Sequence, residues 1–416
     1  MNLRTMDRRL FTILLIVFVN IVGAALILPI LPLFAQSEFK LSPEVITLLN
    51  ASFFAAQFLA GPYLGRLSDR YGRVPILIIS QIGTAISFVM IAFAHGAPLL
   101  FAARILDGIT GGNIIVAQAY VIDITPPEKR TQALGSIFAV FGLGFIIGPA
   151  LGGLLAAAWG ARVPYLIAAA VATLTFILTW FMLNESVTLE QRVTNRSANR
   201  VGINYRALMT NRSLMLVLLI AFVGQFAFAL FQSTFALYSA SVLFQGKTSQ
   251  QTSLGVGLLL GTVGLGQVFT QTFLLRRALA RYGEAWLVVV GNLSRGLGML
   301  VFALIANAWL GPIGAIFFAM GMGLSMPPLQ ALTTRAVTDN LRGAVLGVFQ
   351  SVTSLAIILS TGIAGVIYSY SPRLPYWLGL LLSLVAILPA LALLRRSPMV
   401  APLAADVAEE PIVAHP

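Results

Sequence analysis

Long apolar runs recur along the whole chain, separated by short polar turns. Twelve of them fall at 10–35, 44–64, 74–94, 98–122, 131–158, 163–183, 214–240, 253–276, 284–306, 309–334, 343–368 and 374–394. Each is near the ~20 residues that a helix needs to cross the hydrocarbon core of a bilayer. The pattern predicts an all-α membrane protein with twelve transmembrane helices. Composition agrees: of 416 residues, 58% are hydrophobic and 10% charged, against about 25% charged in an ordinary soluble domain.

Charge fixes the orientation. With Met1 inside, 20 of the 26 Lys and Arg fall in the segments on the cytoplasmic side, while the outer loops hold Lys40, Arg162, Lys247 and Arg373. That alternation follows the positive-inside rule. It also explains the net charge of +12 without nucleic acid, because a nucleic-acid arm would be one basic block. The first apolar run is too long for a signal peptide and further spans follow it, so it reads as an uncleaved helix. Both termini are expected on the cytoplasmic side.

The chain divides into an N-terminal six-helix bundle at 1–184, a polar linker at 185–213, a C-terminal bundle at 214–396 and a disordered tail at 397–416. The two bundles repeat one another. Arg70-Tyr71-Gly72 after the second span recurs as Arg281-Tyr282-Gly283 after the eighth, 211 residues on. Arg130 and Gly135 recur as Arg342 and Gly347, 212 residues on. Two matches at nearly one offset indicate a six-plus-six duplication.

Candidate chemistry is sparse. Cysteine is absent, which excludes thiolate metal sites and nucleophiles. His95 and His415 fall at an outer turn and in the tail. No Walker loop appears, and no metal or nucleophile constellation, so neither enzyme activity nor a metal or cofactor is expected. Deep within the spans the charges are Arg104, Asp107 and Arg295. On a continuous helix Arg104, Asp107, Gly111 and Gln118 would share one face, and charges there should face a cavity and not lipid. Asp107 is the one carboxylate deep within a span; Asp123 lies near a cytoplasmic end. Arg104 and Asp107, three apart, could pair, and they are the candidates for coupling. Asn20, Gln57, Gln118, Gln225, Gln232, Gln330 and Gln350 are candidates for a neutral polar cavity lining, and any of the Gln could instead join helices.

The loop Gly65-Arg66-Leu67-Ser68-Asp69-Arg70-Tyr71-Gly72-Arg73 matches the pattern G-x-L-[SA]-D-R-x-G-R-[KR] up to Val74. Arg104-Ile105-Leu106-Asp107-Gly108 matches R-x-x-[DQ]-G, and the fifth span carries Gly135, Gly144, Gly148, Pro149, Gly152 and Gly153. By these motifs the chain resembles the major facilitator superfamily, in its twelve-helix drug/proton antiporter branch. Leu26–Pro32, Gly108–Gly111, Gly224-Gln225 and Pro328–Gln330 are most similar to the tetracycline-efflux group. The resemblance implies the major facilitator fold, no cofactor, and a monomer in the lipid bilayer of the bacterial inner membrane. It also implies multidrug efflux and antibiotic resistance, with a small-molecule substrate exchanged for protons. Gly65, Asp69, Arg70, Gly72 and Arg73 would form a gating loop. The alternative task is export of a metabolite, sugar or lipid without protons. That alternative is favoured by one departure: carboxylates of the tetracycline group in helices one, three and nine correspond here to Asn20, Ser87 and Arg295. Small-xxx-small spacing at Gly144, Gly148 and Gly152 predicts close packing on a partner helix, with the glycine-rich eighth span a candidate, and Pro149 predicts a bend.

Overall fold

The computed structural model describes residues 8–27, 29–111, 113–126, 129–186, 211–337 and 342–396. Most of the expected linker and the whole expected tail, with His415, lie outside these residues. Helix is the only regular structure among them. Eleven helical segments are long and apolar enough to cross a bilayer, and one, Ser249–Leu304, runs for 56 residues. At ~1.5 Å per residue that run would measure ~84 Å, against a hydrocarbon core of ~30 Å. Gly283, at φ 75° and ψ 169°, is not helical and divides it into two crossings.

Twelve helices follow: α1 Arg8–Phe39, α2 Pro43–Tyr71, α3 Arg73–Ala92, α4 Ala97–Ile124, α5 Arg130–Trp159, α6 Val163–Met182, α7 Arg212–Leu243, α8 249–282, α9 284–304, α10 Gly311–Arg335, α11 Arg342–Tyr370 and α12 Leu374–Arg395. Gly72 parts α2 from α3 at φ 107° and ψ 159°, as Gly283 parts α8 from α9. Glycine alone takes such a φ cheaply, which gives the repeated Arg-Tyr-Gly its physical reason. Two helices are interrupted near helix-breaking residues. In α1 the break adjoins Pro29, which has no N–H to donate, and helix resumes at Ile30. In α4, Ala97–Thr110 ends at Gly111 and helix resumes at Asn113.

Large side chains line the outward faces. On α3, Ile79, Ile82, Ile86 and Val89 are 40–57% exposed, a continuous apolar face that water would not tolerate and lipid would cover. Buried apolar residues form three clusters. One spans both halves, joining Phe34, Leu49 and Tyr165 to Phe231, Phe302, Phe318 and Tyr376. The other two each stay within one half, around Ile16, Tyr120 and Ile137 and around Val217, Val288 and Phe349. The shared cluster lies away from the arginine-rich loops; the separate ones lie beside them.

The halves meet through α5 with α8 and through α2 with α11. Against expectation, the glycine stripe of α5 faces its own half. Gly144, Gly148 and Gly152 pack on Ile21, Ala25 and Leu26 of α1, and a Cβ on Gly148 would stand 2.5 Å from that of Ala25. The face turned to α8 is the next one: Gly153 meets Ser253 and Gly257, and a Cβ on Gly257 would stand 2.6 Å from the Pro149 carbonyl oxygen. Helix α5 runs without interruption through Pro149.

Gly148→Leu should therefore destabilise the protein by about 1–3 kcal/mol, the usual cost of overpacking, and lower its unfolding midpoint in detergent. Gly347→Leu is the control, because open space surrounds that position. An equal loss in both variants would disprove close packing at Gly148 as the cause.

Candidate functional site: a buried charge pair between gating clusters

The buried ion pair of the first half forms where α2 presses on α4. A Cβ on Gly108 would collide with the Phe53 carbonyl oxygen and, at 2.7 Å, with the Ala56 Cβ. That approach brings the Phe53 ring 4.1 Å from the Arg104 guanidinium carbon, within cation–π range. Arg104 Nη1 reaches Asp107 Oδ2 at 3.0 Å, with both side chains buried. Arg104 Nε and the Tyr165 hydroxyl are buried with no hydrogen-bond partner among the described residues. The pair thus keeps unused donor capacity.

One turn on, the break in α4 frees a carbonyl, and Gln57 Nε2 donates to Gly111 O at 3.1 Å. Gln118 is half-buried on the second helical piece, Asn113–Ile124.

The seven candidate lining residues stand on helices of both halves. Asn20 lines a cavity of about 10 Å³ inside the first half, with Ile16, Leu77, Gln81 and Ala117, room for about one water. Gln225 and Gln232 are half-buried on α7. Gln330 is exposed near the end of α10. Gln350 is exposed on α11 and its amide reaches Ser354 Oγ at 3.4 Å. Ser87 donates to the Ala103 carbonyl at 2.9 Å, joining α3 to α4. Arg295 is 1% exposed, inside the second half.

Beside the arginine-rich loops, Arg73 gathers the gating motif. Its Nη1 contacts Asp69 Oδ1 at 2.7 Å and its Nε contacts Asp123 Oδ2 at 2.9 Å. Nη1 also donates to Ser68 Oγ at 2.6 Å. Glu185 accepts the backbone N–H of Arg73 at 2.9 Å and of Val74 at 3.3 Å, a carboxylate at the positive end of α3. Arg70 is exposed and lies over the Tyr71 ring at 5.2 Å. A Cβ on Gly65 would meet nothing within 4 Å. Sequence reasoning did not foresee the parts of Glu185, assigned to the linker, or Asp123; the capping of α3 was the signal available for Glu185.

The second half repeats this link with its charges reversed. Glu284 opens α9, where Arg73 opens α3, and it pairs at 2.8 Å with Arg335 at the end of α10. Arg335 stands 212 residues after Asp123. Gly135, the remaining member of the α5 motif, lies within the helix.

Two like halves of six membrane helices, enclosing a buried charge pair and joined by charged clusters at the loops, define a multi-pass membrane transporter. A family model matches over residues 13–248 and again over 226–414. The chain belongs to the Major Facilitator Superfamily. It is 32% identical over 397 residues to the tetracycline resistance protein, class H, of Pasteurella multocida, covering 94% of this chain and 96% of that one. It is 27% identical over 372 residues to multidrug resistance protein 2 of Bacillus subtilis (strain 168), covering 89% and 91%. The crystal structure of a D-xylose-proton symporter shares the fold, with a TM-score of 0.72 at 17% identity, covering 94% and 98%.

The reversed pairs suggest a charge-swap experiment. Arg73→Glu alone puts a fourth carboxylate beside Asp69, Asp123 and Glu185 and should sharply lower the yield of monodisperse protein. Adding Asp123→Arg should recover much of it, with a coupling of about 0.5–3 kcal/mol, as for contacting residues. Additive losses would mean that the 2.9 Å contact contributes nothing.

Proposed function

We propose that this protein exports hydrophobic or amphipathic drug-like small molecules from a bacterial cell by alternating access, in exchange for protons. It would act as a monomer in the inner membrane with both termini cytoplasmic. The observation that carries the reading is the division of the core: one apolar cluster bridges the halves at the far side, while each half keeps its own cluster beside the arginine-rich loops. Two hydrogen bonds between opposite halves also lie on the far side. Gly365 N–H donates to Thr47 Oγ1 at 3.0 Å, and Ser369 donates to Glu44. Among the described residues, a shared core at one end and separate cores at the other are what rocking about a central site requires. The names of the relatives, resistance to tetracycline and to multiple drugs, favour drugs as the cargo.

Asp107 is the group we assign to proton coupling. It is buried deep in a span, and its partner Arg104 is held by Phe53. Substrate that displaces Arg104 would leave the carboxylate unpaired in low dielectric, where it takes up a proton. A second reading, export of a metabolite, sugar or lipid without proton coupling, draws support from the same pair, because a standing ion pair is also a structural tie.

In proteoliposomes, Asp107→Asn should abolish uphill, proton-driven transport and spare downhill exchange. A variant that still pumps against a gradient would make Asp107 a structural partner of Arg104. Wild-type protein that moves substrate only downhill, whatever the proton gradient, would favour the second reading, and wild-type protein that moves no amphipathic compound would refute export of this class. Orientation is checked separately. Single cysteines near His95 and Lys247 should react with an impermeant reagent in intact cells, and cysteines within 187–210 should not; the reverse pattern would invert the topology.

A further inference from the structure

Arg295 lies near the middle of α9, buried between neighbouring helices of the second half. Its guanidinium has neutral partners only: Nε donates to Ser383 Oγ of α12 at 3.3 Å, and Nη2 donates to Asn292 Oδ1 of its own helix. Nη1 has no acceptor among the described residues and points at Gly224 of α7, where a Cβ would stand 2.9 Å from it. Between 211 and 396 the sequence holds two carboxylates, Glu284 and Asp339. Glu284 is taken by Arg335 at 2.8 Å, and Asp339 follows α10 outside the described residues. The first half, by contrast, neutralises its buried Arg104 with Asp107.

An arginine stays protonated in proteins. A buried cation without a counter-charge marks a pathway or ligand site inside a membrane protein. The surroundings suit a ligand. Gly224 places no side chain against Nη1. Gln225 follows it, half-buried, and one turn on Phe228 lies parallel to Phe318, with ring centroids 6.1 Å apart.

We propose that Arg295 holds the anionic group of the transported molecule, so that the cargo is an amphipathic organic anion, an aromatic carboxylate or sulfonate. The guanidinium fork would take two oxygens of one such group, and the ring would stack near Phe228. The proposal rests on the export reading above and names its substrate class. Cargo entry then supplies the negative charge that Arg295 lacks.

The test compares 2-naphthoate with 2-naphthamide, alike in ring and differing in charge, on the purified full-length protein by calorimetry. Wild type should bind the anion about tenfold or more tighter than the amide, a difference within reach of one charge-assisted contact. Arg295→Gln should bind both at the amide's affinity, and Arg295→Lys should keep part of the preference. Equal binding of anion and amide by wild type, or binding of neither, overturns the proposal without any need for a folded variant. So does an anion preference that survives in Arg295→Gln. A titration with sodium chloride separates the other source of negative charge: if chloride at low concentration saturates the site and excludes naphthoate, the site holds an inorganic ion and the proposal fails. Transport distinguishes the two readings, since vesicles that export amphipathic compounds regardless of charge refute the anion site and leave export standing.

Discussion

A charge inside a bilayer must find a partner or face water, and the placement of a few charges organises this protein. The helices exist because backbone polar groups in hydrocarbon have only one another to bond with. Against that apolar background, Arg104, Asp107 and Arg295 are the ionisable groups set deep in the spans. The first two neutralise each other at 3.0 Å, while the third has only uncharged acceptors. The halves share an architecture and differ in electrostatics.

The same asymmetry recurs beside the loops. Arg73 bonds to Asp123 in the first half and Glu284 bonds to Arg335 in the second. Each link ties the start of one helix to the end of the next, and either polarity does so equally well. What differs is the company: Asp69, Ser68 and Glu185 crowd around Arg73. A cluster that draws on α2, α3 and the segment after α6 holds that end of the first bundle rigid, as a rocking body needs.

Close backbone contact supplies the rest of the rigidity. The two glycine faces of α5 do different jobs: Gly144, Gly148 and Gly152 fasten it to α1, and Gly153 lets it lie against α8. Without side chains between them, the helices gain dispersion contacts along their backbones, the main source of cohesion where lipid tails are as apolar as leucine. One helix belongs firmly to its bundle and still forms the surface turned toward the other.

By itself the sequence determined span number, the six-plus-six duplication and the family, because bilayer thickness dictates the length of each apolar run and loop charge dictates its direction. It also identified Arg104 and Asp107 as potential partners, since three residues along a helix is contact distance. The partner of the α5 glycines was not legible there, because spacing defines a face and says nothing of what covers it. Glu185 read as linker until the fold brought it to the first N–H groups of α3, 112 residues away in sequence. Only the tertiary structure decided that Arg295 is enclosed without a carboxylate, because burial is a property of all the surrounding helices together and of no single stretch of chain.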